Sequence, residues 1–206
     1  MDRHRGKGEG EIDKATLRRR ALDARDGLSE ETRIEKSMAI ADHGAGQLTF
    51  EAGTIVAGFM PIRSEPDPRP LMASLAERGA RLCLPVVLDS TTIVFRELIR
   101  GATLVPTGFG TLGPDADAAV VHPGLMLVPL AAFDRNGHRI GYGAGHYDRA
   151  IARQVAEGIH PRLVGIAFDL QEIDAVPTEP HDHPLDCVLT ETGLRAFATD
   201  AFHDTR

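Results

Sequence analysis

Cysteine is scarce. The 206 residues hold two, Cys83 and Cys187, each in an apolar, strand-like stretch. Buried free thiols are expected at both, rather than a disulfide framework. Long hydrophobic runs are missing as well. No stretch approaches the roughly 18 apolar residues that would suggest a membrane helix. The opening MDRHRGKGEGEID is charged and has no apolar core, unlike a secretory signal. The expected location is cytoplasmic, with no membrane partner. Excess positive charge is absent too: the net charge is −7, which argues against a general nucleic-acid binder. No Ser/His/Asp or Cys/His nucleophile arrangement stands out, and no internal repeat is evident.

The remaining composition is that of a globular protein, with 42% hydrophobic and 26% charged residues. At this length one large domain is the default. Residues 1–12 read as a disordered, polar, Gly-rich tail, and 13–200 as a single α/β catalytic domain. The charge is uneven: residues 1–25 carry eight Lys/Arg against five Asp/Glu, and the remainder is strongly acidic. An anionic ligand therefore needs a local basic patch. The N-terminal segment is one candidate; a solvated basic helix is the alternative.

Asp13 is a plausible N-cap for a helix over KATLRRRALDAR that ends near Gly27. Ser29 opens a second helix reaching about Gly44, with SEET as a capping-box variant in which Thr32 replaces Glu or Gln. TIVAGFM reads as a buried strand, PIRSEPDP as a proline-rich loop, and Pro70 to Arg78 as a helix stopped by Gly79. RLCLPVV and TIVFREL are the next strands. Gly101 to Gly124 is loop-rich. LMLVPLAAF is the most hydrophobic strand. DRNGHR is a tight turn in which Asn136-Gly137 supplies positive φ. A helix runs from about His146 to Gly158, RLVGIAF and CVLT are further strands, and the tail is helical or loose. Alternating strands and helices, with several strands apolar throughout, predict an open, mainly parallel α/β sheet with helices on both faces. Ligands then bind in loops beyond the carboxyl ends of strands: those after Met60, Phe133 and Phe168.

The second of these loops contains GYGAGHYDR, Gly141 to Arg149. Gly141, Gly143 and Gly145 permit close backbone approach to an anion, and the helix behind them adds amides and the positive end of its dipole. The stretch fits neither the Walker pattern nor the dinucleotide fingerprint, so an ordinary strand-to-helix turn competes with a phosphate cradle. Asp148 sits where a phosphate would go. It is compatible with a polyphosphate if a cation lies between them, and Mg²⁺ typically takes one or two carboxylates plus substrate phosphates. The second carboxylate is expected in PHDHPLD, as Asp182 or Asp186. The same segment presents His181, Asp182, His183 and Asp186, an N/O set that can hold zinc; solvated loop histidines are commoner. In an extended loop His181 and His183 would share one side and Asp182 the other. Lys14 and Arg18 lie one helical turn apart and can clamp a phosphate, with Arg139 as a third positive charge. Glu65 and Asp67 follow the first strand. They are either loop solubility or acceptors for an amide- or amine-bearing ligand.

Together these segments resemble the 5-formyltetrahydrofolate cyclo-ligase family. The resemblance runs from about Lys14 to Thr190, through KATLR, FMPIRSEPD, VPLAAFDRNGHRIGYGAGHYDR, VGIAFDLQEI and VPTEPHDHPLD. It implies a fold similar to the sugar-phosphate isomerase and CoA-transferase group. It also implies ATP-driven, Mg²⁺-dependent cyclisation of 5-formyltetrahydrofolate to 5,10-methenyltetrahydrofolate, with release of ADP and phosphate. By this resemblance Lys14, Arg18, Arg139, Gly141, Gly143, Ala144, Gly145, His146 and Tyr147 hold the nucleotide. Ile62, Glu65, Asp67, Tyr142, Gly143, Ala144, Gly145 and His146 hold the folate, with the choice between Glu65 and Asp67 left open. Asp148 and Asp182 bind magnesium, and Arg139, Tyr147 and Asp148 form the reacting centre. Ala144 and His146 depart from the family pattern, which often has a basic residue and a second aromatic there. The implied partner is the small-molecule folate, with its polyglutamate length open. Neither nucleic acid nor membrane is expected, and a monomer is. A non-catalytic or RNA-associated relative on the same scaffold is the alternative, resting on the basic N-terminal segment alone.

Overall fold

The computed structural model describes residues 13–108 and 110–198. The tail expected over 1–12 and the last two residues of the expected domain lie outside the described residues.

In chain order the elements are α1 (Lys14–Asp26), α2 (Glu30–Gln47), β1 (Ile55–Ala57), α3 (Arg69–Glu77), β2 (Arg81–Val87), β3 (Ile93–Glu97), β4 (Leu104–Pro106), β5 (Leu112–Pro114), β6 (Val120–Val121), β7 (Leu125–Pro129), β8 (Ala132–Phe133), β9 (Arg139–Ile140), α4 (His146–Ala156), β10 (Arg162–Ile166), a single 3₁₀ turn (Asp169–Gln171), β11 (Cys187–Thr190) and β12 (Gly193–Ala196). Eight strands form one sheet in the order β12-β11-β10-β7-β1-β2-β3-β6. The five from β11 to β2 are mutually parallel; β12, β3 and β6 are added antiparallel at the edges. The expected open, mainly parallel α/β sheet is what forms.

Strand β7 shows why its sequence is apolar throughout. Successive side chains point to opposite faces, and both faces are covered. Leu125 and Leu127 pack with Ile40, Leu71 and Leu75 of α2 and α3. Met126 and Val128 pack with Ala150 and Ile151 of α4 on the other side. Each such buried side chain contributes about 1.5–3 kcal/mol, so this strand alone anchors the sheet from both directions. Cys83 and Cys187 are free and buried, one in each cluster.

Both caps read from sequence form. The Asp13 carboxylate accepts from the Thr16 N–H at 2.7 Å, and Ser29 Oγ accepts from the Thr32 N–H at 3.1 Å. Helix α2 continues to Gln47, a turn past Gly44, which has no positive φ and faces the Leu71 and Leu189 side chains closely. Its glycine serves packing rather than termination.

Three local expectations are corrected. In the turn between β8 and β9 only Gly137 has positive φ, at 84°; Asn136 does not. The Asp134 carboxylate accepts from the Asn136 and His138 N–H groups instead, and Asp134 N–H donates to His138 C=O. This is a three-residue hairpin loop with one left-handed glycine. The tail is also more regular than expected: β12 pairs with β11, a partner that no local pattern in the tail announces. The loop-rich stretch before β7 likewise holds three short strands.

Candidate active site

The chain leaves β1 toward β2 on one side and places β7 on the other. Such a reversal opens a crevice at the carboxyl ends of the two strands. A cleft of about 580 Å³ lies there. Phe59 and Met60, just past β1, and Pro129, the last residue of β7, form part of its wall. Its rim comes from the glycine loop, the segment after β10, and α1. The structure brings Lys14, Arg18, Ile62, Glu65, Arg139, Gly141, Tyr142, Gly143, Ala144, Gly145, His146, Tyr147, Asp148 and Asp182 to this one cleft. It does not bring Asp67 there. That carboxylate is clamped by Arg69 across a two-residue gap, with Nε–Oδ1 at 2.8 Å and Nη2–Oδ2 at 2.6 Å, and borders a smaller neighbouring depression. Of the two acidic residues, Glu65 lines this cleft and Asp67 does not.

Two of the three loop glycines are conformationally required: Gly143 has φ of 99° and Gly145, the residue capping α4, has φ of 63°. Gly141 does not need its freedom. The turn at Gly145 starts α4 at His146, so the first-turn residues of the helix line the cleft and offer their amides and dipole to an anion.

The cations and carboxylates of the cleft are already matched to one another. Lys14 Nζ donates to Asp182 Oδ2 at 2.7 Å and lies 3.5 Å from Glu179. Arg139 Nη2 donates to Asp148 Oδ1 at 2.6 Å, and its Nη1 to the His183 carbonyl. Burial pulls the Lys14 ammonium down, but Asp182 and Glu179 outweigh it and the net shift is upward. Burial pushes the Asp182 carboxyl up, but Lys14 and the Glu179 N–H outweigh that and hold it low. Arg139 is 5% exposed, and burial lowers its pKa against the pull of Asp148 and Asp182. Arg18 braces the loop through Nε to the Gly141 carbonyl at 2.6 Å. Arg19 and Arg20 are exposed, as expected for their position on the helix.

In the same cleft, burial raises the pKa of Glu65 against the Ile62 N–H, Tyr142, Arg25 and Arg63. Its Oε2 accepts from the Ile62 N–H at 2.8 Å. The Tyr147 ring packs edge-on to Phe95, at 6.3 Å between centroids, and its hydroxyl is buried without a hydrogen-bond partner among the described residues. An unmade hydrogen bond of that kind costs about 1–3 kcal/mol, which a ligand acceptor would recover.

The zinc alternative in PHDHPLD is overturned. Among the described residues no group of three or more His, Cys, Asp or Glu side chains is arranged to hold a metal ion. Residues 179–182 turn rather than extend, with Asp182 N–H donating to Glu179 C=O. Asp186 leaves the cleft altogether: its Oδ2 accepts from the Leu163 N–H at 2.6 Å.

Several cleft residues escaped sequence reasoning. Pro85 and Val87 of β2, Ile93 of β3, and Thr111 and Leu112 around β5 complete the wall. The alternation of Pro85 and Val87 was a usable signal, but the sheet edge it faces depends on strand order. Arg25 was missed too. It is fully buried behind the cleft, and its spacing from Lys14 and Arg18, eleven and seven residues, puts all three on one helical face.

Fold and site thus define an α/β protein whose switch-point cleft combines the N-terminal start of α4, the basic side chains Lys14, Arg18, Arg63 and Arg139, and separated carboxylates. A model of the 5-formyltetrahydrofolate cyclo-ligase family matches residues 11–191. The chain belongs to that family, a family of ligase enzymes. It is 31% identical to the 5-formyltetrahydrofolate cyclo-ligase of Mycolicibacterium smegmatis over 185 residues, covering 86% of this chain and 93% of that one. With the Escherichia coli enzyme of the same name it is 33% identical over 141 residues, 66% and 76% of the two chains. The solved 5,10-methenyltetrahydrofolate synthetase of Aquifex aeolicus superposes with a TM-score of 0.76 at 27% identity, over 94% of this chain and 99% of that one.

Proposed function

We propose that this enzyme couples ATP hydrolysis to cyclisation of 5-formyltetrahydrofolate, giving 5,10-methenyltetrahydrofolate, ADP and phosphate. The observation that carries the reading is the lining of the cleft. Lys14, Arg18, Arg139 and the start of α4 line it together with the buried Glu65 carboxylate. A polyphosphate suits the cations and the helix start. The amide and amine edge of a pterin suits the carboxylate.

The donor set also suits magnesium of one kind. Asp148 and Asp182 are two carboxylates, too few for a self-sufficient metal site. They are enough for an ion that shares phosphate oxygens and water. Held by these two residues, Mg²⁺ would supply positive charge beside the phosphates.

The residues present can do the rest. A formamide carbonyl is a poor electrophile. When its oxygen attacks the γ-phosphorus of ATP, ADP leaves and the formyl oxygen becomes part of a leaving group. N10 then bonds to the formyl carbon, the carbon–oxygen bond breaks, phosphate departs and the N10 proton is released. Lys14, Arg18 and Arg139 stabilise charge on the transferring group, and the glycine loop with Ala144 and His146 encloses the nucleotide. Tyr147 offers its buried hydroxyl, and Tyr142, Ile62 and Glu65 orient the folate. No protein nucleophile is required.

The test is to incubate the purified chain with 5-formyltetrahydrofolate, ATP and Mg²⁺ and follow the near-ultraviolet absorbance of the methenyl product. Absence of ATP-dependent product at micromolar enzyme would sink the proposal.

A further inference from the structure

Arg25 does not line the cleft, yet it is the largest fully buried side chain among the described residues. A guanidinium is not taken out of water without specific partners; besides the Leu130 carbonyl just past β7, which Nη1 reaches at 3.5 Å, its partners come from the two loops that build the cleft. Nε donates to Ser64 Oγ at 3.0 Å, and Ser64 in turn donates to Asp26. Nη2 donates to the Tyr142 hydroxyl at 2.8 Å, and the guanidinium carbon lies 5.8 Å from the Tyr142 ring centre. Burial raises the Tyr142 pKa, and Glu65 lies close enough to the hydroxyl to push it further up. One side chain on α1 thus joins the loop after β1, through Ser64, to the glycine loop, through Tyr142.

The direction of these bonds has a consequence. Guanidinium has donors only, so Tyr142 Oη must accept from Arg25, which leaves the phenolic proton for the Glu65 carboxylate. Glu65 accepts the Ile62 N–H, and the neighbouring Tyr142 hydroxyl is a second donor available to it. Its remaining acceptor capacity faces the cleft.

We infer that Arg25 is a positioning residue for the folate: it sets Glu65 through Tyr142 and touches neither substrate. The inference rests on the functional reading above. Lysine cannot substitute, because a single ammonium does not reproduce the fork that reaches Ser64 and Tyr142 together.

The test compares wild type, Arg25→Lys, Tyr142→Phe and the double variant in steady-state turnover, varying each substrate in turn. Losing one charge-assisted hydrogen bond from a buried relay should raise KM for 5-formyltetrahydrofolate about tenfold. KM for ATP should move less than about twofold, which a general loosening of the fold would not reproduce. Because Arg25 acts through Tyr142, the double variant should be no worse for folate than Tyr142→Phe alone. Additive losses, or equal losses for both substrates, overturn the inference while leaving the reaction assignment intact. If Arg25→Lys does not fold, by thermal melting, Tyr142→Phe decides: an unchanged KM for folate overturns the relay. A wild-type chain that makes no product overturns the functional reading and this inference with it.

Discussion

Asp148→Asn separates what Asp148 does for the fold from what it does for the reaction. In the folded chain the carboxylate accepts from Arg139 Nη2 at 2.6 Å and from the His183 N–H at 3.3 Å. Asparagine keeps the shape and one acceptor oxygen but removes the charge. Arg139 stays cationic, so its bond to asparagine is still one to a charged group but lacks the carboxylate's counter-charge; such bonds contribute about 1.5–3 kcal/mol, and weakening this one should cost about 1–2 kcal/mol. Arg139 is 5% exposed and Asp148 24%, so solvent screens this pair only in part. For a chain of this size each kilocalorie lowers Tm by about 2–4 °C, so a drop of a few degrees is expected in differential scanning fluorimetry without ligand. The catalytic effect should be much larger. Changing residues that merely support metal ligands weakens metal binding about 10–100-fold, and a ligand itself should matter at least as much. The Mg²⁺ concentration for half-maximal turnover should therefore rise by about 100-fold or more, with kcat depressed. An unchanged magnesium titration and unchanged turnover would refute the ligand role. An unchanged Tm would refute the energetic account of the Arg139 pair.

Further outcomes follow from the same geometry. Lys14→Ala removes a cation proposed to face the phosphates and leaves Asp182 without its ammonium partner, so KM for ATP should rise more than KM for folate; the reverse ranking counts against the assignment. Asp182 is held below its ordinary pKa, so its pairing adds stability above the unfolded carboxylate pKa of about 3.9 and loses it as pH falls through the lower folded value. The stability gap between wild type and Asp182→Asn should accordingly be constant at neutral pH and close in acid; a gap that widens in acid contradicts the sign. Burial pushes the Cys83 thiol up to about 12. It should resist alkylation by iodoacetamide at pH 8 in the folded protein and react on denaturation, as followed by mass spectrometry; rapid native labelling would contradict its placement.

Local physics in the sequence determined a good deal. The apolar run of β7 requires burial on both faces, and it has both. Asp13 and Ser29 needed only the next helical turn to act as caps. The alternation of strands and helices predicted the sheet. The ordered motifs located the cleft's glycine loop, its basic residues and its two separated carboxylates. Each of these depends on neighbours a few residues away.

The remainder depends on contacts across the chain, which no local pattern encodes. Asp182 meets Lys14 over a separation of 168 residues. Glu65 and Asp67 look alike in sequence, but Arg69 takes one while the fold turns the other toward Tyr142. Only the packed loop shows that Gly143 and Gly145 need positive φ while Gly141 does not. Strand β12 forms because β11 presents an open edge to it. Arg25 reads in sequence as one more basic residue on a basic helix. Burial against Ser64 and Tyr142 gives it a distinct role, because a charge removed from water must be met by partners that only the tertiary structure brings together.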